Sequence, residues 1–173
     1  GLGTYFRGWA KAGAGDIMAG IREMENGLAA CQDTGAHAYV PYNLALLAEM
    51  YGRANQPLQG RKLLDEALQR LEQTEARYCE SELLCVDAEL RLAMPAPDQS
   101  EAEASFRRAI EVARSQHAKM VELRAAVGLA RLWADAGKRR QAYELLAPIY
   151  GSFAEGFNLP QLVAATALID SMA

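Results

Sequence analysis

Two histidines and three cysteines are all that this chain of 173 residues contains, and that scarcity excludes several kinds of chemistry. His37 and His117 have no second His, Cys or carboxylate at a ligand spacing that stands out from the Glu-rich background, so no metal or other cofactor is expected. Cys31, Cys79 and Cys85 are odd in number and form no C-x-x-C pair. That argues against a disulfide framework and fits a reducing compartment, the cytoplasm. Basic residues are not in excess: 18 Lys and Arg stand against 22 Asp and Glu, a net charge of -4. A general nucleic-acid binder would carry a basic stripe and a high isoelectric point. The clusters Arg107-Arg108 and Lys138-Arg139-Arg140 read instead as solvated helix faces. No apolar run approaches the ~20 residues of a membrane helix, and no membrane partner is expected. The amino end lacks the basic start and apolar stretch of a signal peptide. It begins with Gly1 rather than Met, and the chain reads as a fragment of a longer protein.

Strand signals are also nearly absent: no stretch shows sustained alternation with Val, Ile and Thr. Helical spacing runs through the chain instead, in a composition 51% hydrophobic and 23% charged that suits one folded domain. A self-similar block returns at shifts of 40, 80 and 122 residues. Its first helix keeps a small residue (Gly8, Ala48, Ala88, Ala130), and its second keeps another (Gly20, Gly60, Ala102, Ala142). A bulky apolar residue follows (Met24, Leu64, Phe106, Leu146), then a third small one (Gly27, Ala67, Ala109) until Ile149 breaks the series. Small residues at fixed places keep two helices close there, which is the signature of a helical solenoid.

The breaks between helices fit this division. Gly13 and Gly15 precede Asp16, which is placed to cap the next helix; Pro57 suits a first turn; Asp98 or Ser100 can cap a third partner helix; Gly137 is a helix stop. Pro41 falls within the first helix of block two if that helix begins near Ala36: either the helix begins near Val40, or it begins earlier and kinks, and the long kinked helix is favoured. After the fourth pair, Leu162, Ala165, Leu168, Ile169 and Met172 make one stripe of a last helix, over 159–172, that closes the solenoid. The expected domain is single, 1–173, with repeats at about 1–33, 36–74, 76–116 and 118–151.

A catalytic reading finds no support. Gly1-Leu2-Gly3 and Gly13-Ala14-Gly15 follow no strand and precede no Gly-Lys-Ser/Thr, so neither is a phosphate loop. Glu80 and Glu82 would raise the thiol pKa of Cys79 and Cys85, which leaves these as core or idle thiols. Glu23/Glu25 and Glu101/Glu103 fall on helix surfaces, without the burial that an acid–base pair needs.

The block Leu47-Ala48-x-x-Tyr51…Gly60-x-x-x-Leu64-x-x-Ala67-Leu68 resembles the tetratricopeptide repeat. So does Leu129-Ala130-x-x-Trp133-x-x-x-Gly137…Ala142-x-x-x-Leu146; the third block matches through Ala88, Ala102, Phe106 and Ala109. The first is degenerate, with Arg7 and Lys11 where the motif has Leu and an aromatic. The resemblance implies an all-α, right-handed superhelical solenoid of four helix pairs plus a carboxy-terminal closing helix. The run 128–137 and the tail 146–157 are further similar to the last part of large bacterial signalling proteins. In those, a nucleotide cyclase or DNA-binding domain precedes a regulatory ATPase module and the repeats come last.

In such superhelices the first helices line a concave face. The resemblance therefore points to Tyr5 and Trp9, then Tyr42, Ala45, Glu49 and Arg53, then Glu82, Cys85 and Glu89, then Arg124, Val127 and Arg131. The expected groove is aromatic at its amino end, acidic in the middle and basic at the far end. Ala45 and Glu49, then Cys85 and Glu89, stand where a clamp for a peptide carboxylate would need amide or basic groups, so that clamp is rejected. The implied role is protein–protein interaction, with a basic or amphipathic peptide or domain on the concave face and the parent chain's other domains as neighbours. Self-association through the amino-terminal aromatics is a further expectation. The alternative is a metabolite sensor, with Tyr5, Trp9 and Tyr42 stacking on a sugar or base. A structural reading of Glu49 and Arg53 is plain i,i+4 helix support.

Overall fold

The computed structural model describes residues 1–33, 39–74 and 77–172. Among these the helices are α1 (Leu2–Gly13), α2 (Ile17–Asp33), α3 (Val40–Arg53), α4 (Pro57–Thr74), α5 (Glu80–Ala93), α6 (Gln99–Ser115), α7 (Lys119–Asp135), α8 (Arg139–Tyr150) and α9 (Pro160–Met172). A 3-10 turn, Arg77–Cys79, leads into α5, and the described residues include no strand. α1 packs on α2, α3 on α4, α5 on α6 and α7 on α8; α3 then meets α5, α5 meets α7, and α9 lies over α7 and α8. This is the expected solenoid of helix pairs with a closing helix.

The small residues act where the spacing put them. A Cβ added at Gly20 would stand 2.5 Å from the Gly8 carbonyl oxygen, and one at Gly60 would stand 2.6 Å from that of Ala48. Two helix backbones thus touch at the same register in pairs one and two. Ala88, Ala102, Ala130 and Ala142 are fully buried at the matching places, as are Met24, Leu64, Phe106 and Leu146 between them.

The turns within pairs one, two and four share one chemistry. Gly15, Asn55 and Gly137 all adopt positive φ, of 110°, 60° and 78°. The next amide returns to a carbonyl five residues back: Asp16 to Lys11, Gln56 to Tyr51 and Lys138 to Trp133. Their own amides bond Ala12, Gly52 and Ala134, which completes the helix-ending motif of a left-handed residue. The third pair departs from this: Pro95 and Pro97 lie in its turn, and Asp98 caps α6 by accepting from the Glu101 amide at 3.0 Å. Asp16 caps α2 in the same way, through the Ala19 amide.

The long kinked helix expected across Pro41 is not formed. α3 begins at Val40 after Tyr39, and Pro41 sits in its first turn, where the missing N–H leaves no bond unmade. Ala36, where that longer helix was to begin, lies outside the described residues, as does His37.

The core falls into two clusters that meet in α5. Leu83, Val86 and Leu90 pack with α1–α4, while Cys85 and Ala88 pack with α6–α9. α5 therefore has apolar contacts on two sides, and its one buried charge, Asp87, is pinned from outside. The Asp87 carboxylate accepts from Arg91 Nε at 2.7 Å and Ser105 Oγ at 2.5 Å, and it also pairs with Arg61 of α4.

Candidate functional site

A cleft of about 810 Å³ opens along α3, α5 and α7, with Pro160, Gln161 and Ala164 from the first turns of α9 in its wall. Its floor is apolar: Val86 and Leu90 from α5, Leu123 and Val127 from α7, and the Phe106 ring from α6 beneath. Phe106 reaches the floor because α7 carries no side chain at Gly128; a Cβ there would lie 2.5 Å from Phe106 Cε1.

The repeat register explains the charged lining. Shifts of 40 and then 42 residues align Tyr42, Glu82 and Arg124; one to two turns on come Glu49, Glu89 and Arg131, then Arg53, Ala93 and Asp135. All six residues of the last two rows line the cleft, and so does Arg124. Arg124 leaves its own row and reaches back across the neighbouring helices. Its guanidinium meets Glu89 through two bonds, of 3.0 and 2.6 Å, and Glu49 at 2.9 Å. One α7 side chain thus ties α3 and α5 to α7. Burial alone would weaken the Arg124 charge, but Glu89 and Glu49 outweigh it and hold its pKa above the ordinary range.

Six of the residues expected on the concave face therefore come together in one cleft: Glu49, Arg53, Glu89, Arg124, Val127 and Arg131. Tyr42 and Glu82 are half-buried beyond the Arg124 end. The Tyr42 phenol is pushed up by burial first, then by Glu82 and Glu49, with Arg124 opposing. Glu49 does not support Arg53 along α3; it pairs with Arg124 instead.

Several expectations need correction. Tyr5 is not a groove residue: it is 0% exposed and donates its hydroxyl to the main-chain oxygen of Asn43 in α3. Tyr5 and Gly8 are three apart and share the stripe facing α2, where a Cβ at Gly27 would come 2.7 Å from Tyr5 Cα. Trp9 is 45% exposed but does not line the cleft; with Phe6 and Leu2 it forms an open apolar stripe on the outside of α1. The middle of the groove is also less acidic than its two glutamates alone would make it, because Arg124 bridges Glu49 and Glu89 and offsets one of their two charges. Ala45 and Cys85 are fully buried behind the groove.

The buried thiols are unreactive by environment. Burial, then Glu82, pushes Cys79 up to about 11 against a bond from Tyr78; burial, with Glu89, Glu82 and Glu49, takes Cys85 to about 12 against the opposing charge of Arg124. His117 takes a positive φ of 56° in the turn between α6 and α7. Among the described residues no group of three His, Cys, Asp or Glu is disposed to hold a metal, and no helix is long and apolar enough to cross a membrane. The basic clusters are exposed; Arg107 pairs with Glu103 and Arg140 with Glu144 along their own helices, and Arg108 pairs with Glu80 of α5. Arg107 also lies 4.9 Å over the Trp133 ring.

The class that this fold defines is an all-α helical-repeat protein, an architecture consistent with a protein-binding scaffold. No family model matches the chain. Over 125 residues, 72% of its length, it is 32% identical to an uncharacterized protein of Rhizobium meliloti (strain 1021). The chain spans about 12% of the length of that relative.

Proposed function

We propose that this chain is a tetratricopeptide-type interaction module of a larger bacterial signalling protein in the cytoplasm, a single domain with repeats at about 1–33, 36–74, 76–116 and 118–151. The α3–α5–α7 cleft takes a peptide or a segment of a partner domain, and occupancy biases a neighbouring module of the parent chain. The observation that carries this reading is the cleft itself: about 810 Å³, open, apolar on its floor and charged at its rim. Its volume lies within the range of ligand sites, and the first helices that form it present their outer turns to it. Similarity to a short stretch of a much longer relative supports a module within a larger chain. The metabolite-sensor reading loses ground because its three aromatics do not converge: Tyr5 is buried and Trp9 stands on another face.

The test is selection of binders from a phage-displayed library of random peptides, followed by hydrogen exchange on the complex. A peptide in the cleft protects backbone amides of α3, α5 and α7 and leaves the outer helices α4 and α8 unchanged. Protection confined to α4, α6 and α8, or no selection at all, refutes the proposal. The open stripe of Leu2, Phe6 and Trp9 supports self-association at the α1 end. Light scattering over a concentration series, with Phe6→Ser/Trp9→Ser as control, tests that separately; a monomer throughout refutes it.

A further inference from the structure

We infer that the cleft selects acidic amphipathic segments, with Arg53 and Arg131 as the groups that read their carboxylates; this rests on the cleft being a peptide site. Six charged residues line it: Glu49, Glu89 and Asp135 against Arg53, Arg124 and Arg131. The formal sum is zero, but the charges are not equally available. Arg124 holds both Glu49 and Glu89 at ion-pair distance, so those three groups are engaged with one another. Among the described residues Arg53 bonds the Met50 sulfur, at 3.7 Å, and has no carboxylate within ion-pair reach. Arg131 has no hydrogen-bond or ion-pair partner among them. The cluster of Arg124, Glu49 and Glu89 keeps a net charge of -1, and Asp135 is the one unengaged carboxylate of the lining among the described residues, so the excess of cations is local: two against one anion beyond the Arg124 bridge.

Position adds to this. Arg53 follows Glu49 by one turn of α3, and Arg131 follows Arg124 by two turns of α7, so both lie on the carboxy-terminal side of the Arg124 bridge, from different helices. Between them run Leu90, Val127 and Leu132, with Gln99, Gln161 and the start of α9 at the wall. The amino terminus of α9 carries the positive end of its dipole. A guanidinium is weakly hydrated and matches a carboxylate with two parallel bonds, which favours pairing beside an apolar floor. The occupant that satisfies floor and rim together has apolar residues on one side and carboxylates flanking them. At this end of the cleft a basic segment would meet both free arginines and find only Asp135, the remaining negative charge lying at the Arg124 bridge. A polyphosphate chain would meet Glu49, Glu89 and Asp135 and gain nothing from the floor. The commitment is therefore to an acidic amphipathic peptide of a partner protein.

The experiment pans a phage-displayed library of random peptides, about 16 residues long, against the native chain and against Arg53→Glu/Arg131→Glu. Both arginines are exposed, so the variant should keep the far-ultraviolet dichroism of the parent. The native chain is expected to select net-negative peptides with apolar residues at regular spacing, and the variant to select basic ones. A synthetic native-selected peptide should bind Arg53→Gln/Arg131→Gln roughly fivefold to tenfold more weakly, the size of two modest ion pairs. Its preference over a Lys-for-Glu version should fade in about 1 M salt. Basic or neutral native selections that still protect α3, α5 and α7 would overturn the acidic selectivity and leave the cleft reading standing. Selections that protect no cleft residue would overturn both.

Discussion

Asp87 offers the sharpest test of what holds the helix pairs in register. It is 5% exposed on α5 and receives bonds from Arg61 of α4, Arg91 of its own helix and Ser105 of α6. Three bonds to a charged group, at about 1.5–3 kcal/mol each, would sum to more than Asp87→Ala can cost. The arginines recover part of the loss. Their side chains are 30% and 28% exposed, and each has a second carboxylate, Asp65 at 2.8 Å from Arg61 and Glu101 at 4.0 Å from Arg91. The expected cost is therefore about 3 kcal/mol, the low end for breaking a buried pair. In urea unfolding, with a slope of about 2 kcal/mol per molar, the midpoint should fall by about 1.5 M. Asp87→Asn keeps the shape and should cost less. pH separates charge from shape. Burial by itself would raise the Asp87 pKa, but the bonds from Arg91 and Ser105 and the charges of Arg61 and Arg91 overcome it and hold it below the usual carboxylate range. A depressed pKa means that this stabilisation is full above the unfolded value, about 3.9, and is lost as pH falls through the folded one. The gap between the parent and Asp87→Asn should therefore be wide at pH 7 and close as pH drops below about 4. A midpoint shift under about 0.5 M for Asp87→Ala, or a gap equal at pH 3 and pH 7, refutes the reasoning.

Three further outcomes are expected. Gly128→Ala puts a methyl 2.5 Å from Phe106 Cε1 and should destabilise by about 1–3 kcal/mol; most of the loss should vanish with Phe106→Leu, and equal costs in both backgrounds would refute the clash. A disulfide reagent at pH 8 should modify Cys79 and Cys85 far more slowly than free cysteine, because both thiols titrate near 11 to 12; rapid reaction of the native chain would contradict their burial. Tyr51 donates to Glu25 at 2.5 Å, and burial, then that bond and the Glu25 charge, push its pKa up to about 12. Its contribution to stability should be full below pH 10, the ordinary phenol value, and decline as pH rises toward 12. Glu25→Gln should bring the Tyr51 absorbance transition down, and an unmoved transition would refute the coupling.

Much of the fold was legible because its causes are local. Helical spacing, the caps at Asp16 and Asp98 and the stop at Gly137 act within a few residues, and the repeated Gly and Ala marked where two helices touch. Asn55 was not read as a left-handed turn residue, although its place in the repeat matches Gly15 and Gly137. At Pro41 the spacing favours the wrong one of two alternatives, because a proline in a first turn and one at a kink look alike when the helix start is unknown. Tyr5, Phe6 and Trp9 fall within five positions, so an error of one residue, about 100° around the helix, exchanges a buried ring for an exposed one.

The candidate site divides in the same way. The register of the repeat was enough to bring Glu49, Arg53, Glu89, Arg124 and Arg131 to the first helices. Their partners depended on how successive pairs stack, because Arg124 reaches Glu89 and Glu49 across 35 or more residues of sequence and from a different row. The Asp87 cluster joins three helices, and only its i,i+4 bond to Arg91 lies within one of them. Sequence alone determined which helices form, where they pair and which faces are small or apolar, since those follow from a 3.6-residue period and short-range caps. The tertiary structure decided which charges cancel and which stay free, because ion pairing depends on distances across helices that no spacing along the chain specifies.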